Sequence, residues 1–220
     1  MDATVQATST PEKKTQAERA ALSDARMLDA AVSLICKMGT AGTTLKAVGE
    51  EASYSRGLAS YRFGSKAGLF AFIVRSIGET WLRELELAVR DQVGMPAIEA
   101  ATDAHYRFIA EGSDAIRAFY ILWFDSIGPD PELKQVIANI HERRRHDVSE
   151  WIRNGVGCGE VSAVVDADAI ADQFCSAIIG VVYQWLVTPQ ALGHIRELHH
   201  SLKQQTARAM GAKPSMEMSQ

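Results

Sequence analysis

Apolar positions along this 220-residue chain recur every three or four residues, which predicts a succession of amphipathic helices. Over 20–38, Met27, Leu28, Ala31, Leu34, Ile35 and Met38 share one face, and Gly39 stands where a helix ends. From 43 to 70 the periods shorten. Thr43-Thr44 opens a brief helix carrying Leu45 and Val48, Ser53-Tyr54 makes a turn, and Ser55 caps a second brief helix closed by Phe63 and Gly64. Gly49 stands where a crossing helix comes close, and Ser53 must adopt the turn's backbone conformation with a Cβ. A long stripe over 66–93, with Leu69, Phe70, Ile73, Ile77, Trp81 and Leu85, reads as one rod leaving the short helices.

Further helices are expected over 97–110, from Asp114 to 127, from Pro131 to about 153, over 166–187 and over 191–210. No run alternates with period two, so the expected fold is all-α, with about nine helices. The expected divisions are a flexible arm (1–19), a three-helix head (20–65), a helical body for effector binding and dimerisation (66–212) and a flexible tail (213–220).

The stretch 166–187 is apolar around most of its circumference and needs cover on two sides. Ser176, Gly180 and Gln184 make a narrow row of small or polar groups along it. Together with 191–210 it predicts a four-helix interface between two copies of the chain, formed by Phe174, Ala177, Gly180, Val181, Gln184, Trp185, Ile195, Leu198 and Leu202. The plainer alternative is that both helices are core of one monomer.

The two short helices between Thr43 and Gly64 suit a DNA major groove, because the second turns Arg56, Gly57, Ser60 and Tyr61 outward. The elements Leu28-Asp29-Ala30-Ala31, Gly39, Thr43-Thr44, Ser55-Arg56-Gly57, Phe63, Ser65-Lys66 and Leu69 stand at fixed spacing. This set resembles the DNA-binding head of the TetR family of bacterial transcriptional regulators. The resemblance covers about 20–75, and beyond that only the helical layout. It implies a homodimer reading a palindromic double-stranded operator, with a small effector bound in the body. On that basis the DNA contacts are expected from Thr44, Lys46, Ser55, Arg56, Gly57, Leu58, Ser60, Tyr61, Arg62 and Lys66. Arg56 is assigned a base or phosphate, and Thr44, Ser55, Tyr61 and Lys66 phosphates. Two departures stand out. The family's turn glycine is Ser53 here, and its phosphate-binding tyrosine falls on Ser60 with Tyr61 one place later, so either residue is a candidate for that contact.

A net charge of -4 argues globally against a nucleic-acid partner, yet 21–70 holds six basic and four acidic residues, so the head is mildly positive on an acidic body. Lys13, Lys14 and Arg19 in the arm are candidates for a minor groove, against the plainer reading of a loose terminus. Cys36, Cys158 and Cys175 are odd in number and lack metal spacing, which fits a reducing cytoplasm. Cys158, in a glycine-rich loop, is the one candidate redox thiol. The polar first twenty residues give no expectation of a secretory leader, and the longest apolar tract, 174–187, is too short to span a bilayer.

No catalytic, nucleotide-loop or metal motif is present, so neither an enzyme nor a cofactor is expected. The glycines of 154–159 follow no strand and read as a loop that ends a helix. His199 and His200 read as surface residues. His105, Tyr106, Phe108, Phe119, Tyr120, Trp123, Phe174 and Ile178 gather in the middle helices as core, and as a set they suggest a mainly apolar or aromatic ligand. The basic run 143–145 reads as a solvated face, with an arginine turned inward towards an anionic ligand as the alternative. The competing function is a helical ligand carrier or enzyme that retains a vestigial head.

Overall fold

The computed structural model describes residues 15–211. Among them are nine helices and no strand: α1 (Gln16–Gly42), α2 (Leu45–Glu51), α3 (Arg56–Phe63), α4 (Lys66–Val89), α5 (Gly94–Ala110), α6 (Asp114–Asp125), α7 (Pro131–Gly157), α8 (Ala167–Val187) and α9 (Leu192–Ala209). The all-α expectation holds.

Four boundaries differ from the sequence reading, each for a local reason. The first helix starts at Gln16, inside the expected arm, because Thr15 and Glu18 form a capping box. Lys13 and Lys14, and the tail 213–220, lie outside the described residues. The rod ends at Val89, where Arg90 leaves the helix at φ 50°. Gly94 and Pro96 begin α5 instead of separating two helices, since proline is accommodated in a first turn. Helix α7 runs on to Gly157, so the glycines at 155 and 157 are its last turn. Gly155 is there because a Cβ would stand 2.6 Å from the Gly94 backbone at the start of α5.

Helices α1–α3 form the head. Helix α1 bends at Gly39 (φ 71°, ψ 176°), and the buried Thr43 hydroxyl donates to the Gly39 carbonyl at 2.9 Å, fixing the bend. Met27, Ala31, Ile35, Val48, Ala59 and Phe63 make the head's core. That core continues without a break through Leu69, Ile73 and Ile77 of α4 to Phe119 and Trp123 of α6. Helix α4, ~36 Å long at the α-helical rise, is therefore not a lone rod. Helix α1 also packs on α6, where the Cys36 thiol donates to the Asp114 carbonyl at 3.3 Å. Head and body share two connections, and a shift of α6 reaches the head without passing along α4.

Helix α8 is 21 residues long with mean hydropathy 1.4 over its most apolar window, long and apolar enough to cross a bilayer by length and composition. That corrects the expectation of a tract too short. Its stripe of Phe174, Ile178, Val182 and Trp185 is buried against the chain's own helices, chiefly α7 and α9.

Candidate functional site

The head's turn is built for position. Ala52 ends α2, Ser53 takes φ 61°, and the next two amides fold back: Ser53 N–H onto the Glu50 carbonyl (3.1 Å) and Tyr54 N–H onto the Gly49 carbonyl (2.7 Å). This is the Schellman geometry with serine in the glycine position. A Cβ on Gly49 would meet the Ser55 carbonyl at 3.1 Å, so α2 and the start of α3 touch backbone to backbone, as the sequence suggested. Helix α3 is held from behind by Ala59 and Phe63, and at its end by Arg62, whose guanidinium donates twice to the Asp24 carboxylate of α1, once at 2.6 Å. Behind the next cap, a Cβ on Gly68 would fall 2.2 Å from the Phe63 carbonyl, so the first turn of α4 is pressed against the end of α3.

The residues expected at DNA divide into three groups. Arg56, Gly57, Leu58 and Tyr61 lie on the exposed side of α3, with Tyr61 at 88 % exposure, and Arg56 has no partner among the described residues. Ser60 is half-buried. Ser55 and Thr44 are exposed N-caps whose oxygens accept from Leu58 N–H and Ala47 N–H, both at 3.1 Å, leaving each hydroxyl proton to donate outward. The remaining cations have partners: Lys46 sits 3.8 Å from Glu50, Lys66 donates to the Ala41 carbonyl at 3.2 Å, and Arg62 is clamped to Asp24. Arg62 thus has a structural partner that the sequence did not reveal. Exposed pairs such as Lys46–Glu50 contribute ~0–1 kcal/mol and exchange readily for a phosphate.

Described residues of the body line two neighbouring cavities. The larger, about 340 Å³, runs between α4, α6 and α7, with Val74, Leu82, Phe119 and Ile140 in its wall. The smaller, about 60 Å³, lies between α5, α7 and α8. Trp81, Leu85, Arg144 and Asp147 belong to both. Of the expected ligand residues, His105, Phe174 and Ile178 line the smaller cavity and Phe119 the larger; Tyr106, Phe108, Tyr120 and Trp123 line neither. Phe108 packs on Trp81, with ring centroids 4.6 Å apart, and Tyr106 lies under Arg196. The reading missed Trp81, Leu85 and Trp151. Their signal was ordinary helical periodicity, identical to that of core residues.

His199 corrects the surface assignment. It is 2 % exposed, and its Nδ1 lies 2.8 Å from the Ile195 carbonyl. A carbonyl only accepts, so that nitrogen carries the proton and Nε2 must accept. His105 Nδ1 therefore donates to it at 2.9 Å, and His105 Nε2 in turn accepts from the Tyr120 hydroxyl at 3.1 Å. The chain Tyr120–His105–His199–Ile195 joins α6, α5 and α9 with every buried polar atom satisfied. Burial holds both imidazoles below the ordinary histidine range, His105 well below it, with His199 adding to the effect on His105. His200 is exposed, as expected.

The expected dimer residues also divide. Phe174, Val181, Trp185, Ile195 and Leu202 are buried inside the single chain, because α7 and α9 already cover that side of α8. These five are core of the single chain. Gly180 and Gln184 are exposed, Ala177 and Leu198 half-buried, and a Cβ on Gly180 would meet nothing within 4 Å. Ser176, Gly180, Tyr183, Gln184 and Val187 form the outer row of α8. Among the described residues no group of three or more His, Cys, Asp or Glu side chains is arranged to hold a metal ion.

A capped helix-turn-helix whose outer helix is fixed from behind, set on a helical body with cavities between its helices, is a helix-turn-helix architecture. Over residues 27–73 the chain matches the model of the bacterial regulatory proteins of the tetR family. It is 27% identical over 126 residues to the HTH-type transcriptional regulator BetI of Burkholderia cenocepacia (strain HI2424), which covers 56% of this chain and 63% of BetI. It is 22% identical over 179 residues to YfiR of Bacillus subtilis (strain 168), an uncharacterised HTH-type regulator, covering 81% of this chain and 87% of YfiR. The fold is similar to that of SmeT from Stenotrophomonas maltophilia in its triclosan complex, with TM-score 0.74, 20% identity, and coverage of 88% of this chain and 93% of SmeT.

Proposed function

We propose that the protein is a homodimeric, sequence-specific DNA-binding transcriptional repressor of the cytoplasm, released from a palindromic operator by a small molecule held in the body. One observation carries this reading. Helix α3 is immobilised by Ala59, Phe63 and the Arg62–Asp24 pair, while Arg56 and an 88 % exposed Tyr61 point to solvent with nothing covering them. An aromatic that exposed, beside an unpaired arginine on a rigid helix, is well placed to meet a partner. Its hydroxyl reaches a phosphate, and Arg56 a phosphate or a guanine edge in the major groove. Between the two candidates for the backbone contact, exposure favours Tyr61 over the half-buried Ser60. Thr44 and Ser55 add hydroxyl protons at two helix starts, and Lys66 an ammonium.

Dimerisation sets the spacing of the two α3 helices. The outer row of α8 supports it: Gly180 admits a second helix closely, and Tyr183 (59 % exposed) and Val187 (63 %) supply apolar area. The effector reading draws support from the cavities and from SmeT, a fold relative described in complex with triclosan. Binding there would move α4 and α6 together, and both lead to the head. The coupling expected of such a switch is ~1–3 kcal/mol.

The test is a gel shift with the DNA flanking the protein's own gene, with size measured in parallel by light scattering. A dimer that shifts a specific fragment, and loses the shift on Arg56→Ala or Tyr61→Ala, is the expected result. A protein indifferent to every duplex would favour the ligand carrier or enzyme with a vestigial head.

A further inference from the structure

Arg144 is the one described side chain with a buried nitrogen left without a hydrogen bond: its Nη2 has no partner. Its neighbours in sequence are both answered by carboxylates at the surface, Arg143 by Glu86 and Asp147 (each 3.6 Å) and Arg145 by Asp172 (3.3 Å). Arg144 instead turns inward, stacks its guanidinium 4.7 Å from the centre of the Trp123 ring, and stands in the wall common to both cavities. Asp147 shares that wall, but it is the carboxylate engaged by Arg143, and among the described residues no carboxylate forms an ion pair with Arg144. Guanidinium cannot shed its proton in a protein, so the site holds a permanent, uncompensated positive charge. Its field is felt all around: it pulls the Tyr120 phenol and the Cys175 thiol down against the upward push of burial, and depresses His141 and His105 further.

Arg144 is half-buried and sits beside the Tyr120 hydroxyl, but its buried Nη2 has given up water without a hydrogen bond in return, which costs stability. The larger cavity beside it is mainly apolar, with Arg75, Glu79, Asn139, Arg143 and Asp147 at its other polar positions, and this mixture specifies what relieves the cost. We infer that the body binds an amphipathic organic monoanion, its carboxylate held by Arg144 and its apolar portion in the larger cavity among Leu82, Phe119 and Ile140. The room available, about 340 Å³, falls at the lower end of the ~300–1,000 Å³ of small-molecule sites, which suits a small aromatic or short-chain acid. A cation is disfavoured, because the wall carries Arg75, Arg143 and Arg144 against Glu79 and Asp147, and both Arg143 and Asp147 are already engaged with each other. Inorganic phosphate would leave the apolar part of the wall empty. The inference rests on the effector reading given above and names the chemical class of that effector.

The full-length protein tests it by thermal shift and calorimetry with phenylacetate, indole-3-acetate and decanoate, each set against its uncharged primary amide. At least one acid is expected to raise the melting temperature and to bind tenfold or more tightly than its amide, the margin a charge-assisted bidentate contact provides. Arg144→Met is expected to remain helical, to melt no lower than the parent, and to lose the preference for the acid. Arg144→Lys, which keeps the charge but not the fork, guards against a folding defect and is expected to bind weakly while still preferring acid to amide. Equal binding of acid and amide, no stabilisation by any of the three acids, or an undiminished acid preference in Arg144→Met overturns the inference. An acid that binds through Arg144 yet leaves operator affinity unchanged upholds the inference and overturns the effector reading instead.

Discussion

Helices α3 and α7 put positively charged residues to opposite uses. Helix α3 buries Ala59 and Phe63 and leaves Arg56 and Tyr61 in water; α7 buries Leu133, Ile137, Val148 and Ile152 and turns the half-buried Arg144 onto the Trp123 ring. A solvated arginine is stable without a partner, so the head can wait for a polyanion with its chemistry already displayed. A partly desolvated one gains from an anionic partner. The difference sets where each region meets its partner, the head at an outward helix face and the body at a cavity between helices. It also explains why the head's function can be read from its surface and the body's only from its interior.

The comparison breaks first at Phe63. Phe63→Ala removes the anchor behind α3 and is expected to cost ~3–5 kcal/mol in chemical denaturation. Because the core runs unbroken from head to body, a single transition is expected. Two separated transitions would show that head and body are independent after all. Next is Gly68→Ala, whose Cβ would strike the Phe63 carbonyl. The forced shift is expected to cost ~1–3 kcal/mol and to weaken DNA binding more than ligand binding. A ligand affinity that falls as far as DNA affinity would mean that the strain spreads into the body.

Ser53→Gly sharpens the comparison from the other side. It relieves a side chain held at φ 61° and is expected to stabilise the protein by ~1 kcal/mol with DNA affinity unchanged. For the body, pH is the probe. His105 and His199 are held neutral by burial, with pKa values below the 6.5 of a free imidazole, so between the two the unfolded chain binds more protons than the folded one. The stability they contribute is full above about pH 6.5 and is lost as pH falls below it. The melting temperature should drop on acidification, and less so in His105→Gln; an equal drop in both would remove His105 from the account. The smallest effect expected is in Lys66→Ala, which should flatten the salt dependence of DNA binding by roughly one unit of slope, measured by titration at several ionic strengths.

The head was legible because its information is local. Caps at Thr44, Ser55 and Ser65, the close glycine at Gly49 and the anchor Phe63 act within a few residues of their own positions, so spacing along the chain is already geometry. Even the start of α1 was written in Thr15 and Glu18, though the reading passed over it. What spacing could not supply was partnership at a distance. Arg62 meets Asp24 across 38 residues, and His105 meets His199 across 94. Trp185 and Ile195 could be core or interface by pattern alone, and only the packing of α7 and α9 over α8 made them core. The sequence by itself determined nine helices and the face that α3 turns outward, because helical period and capping are properties of neighbouring residues. Only the tertiary structure decided which of three adjacent arginines lost its water, since burial depends on what the rest of the chain brings alongside.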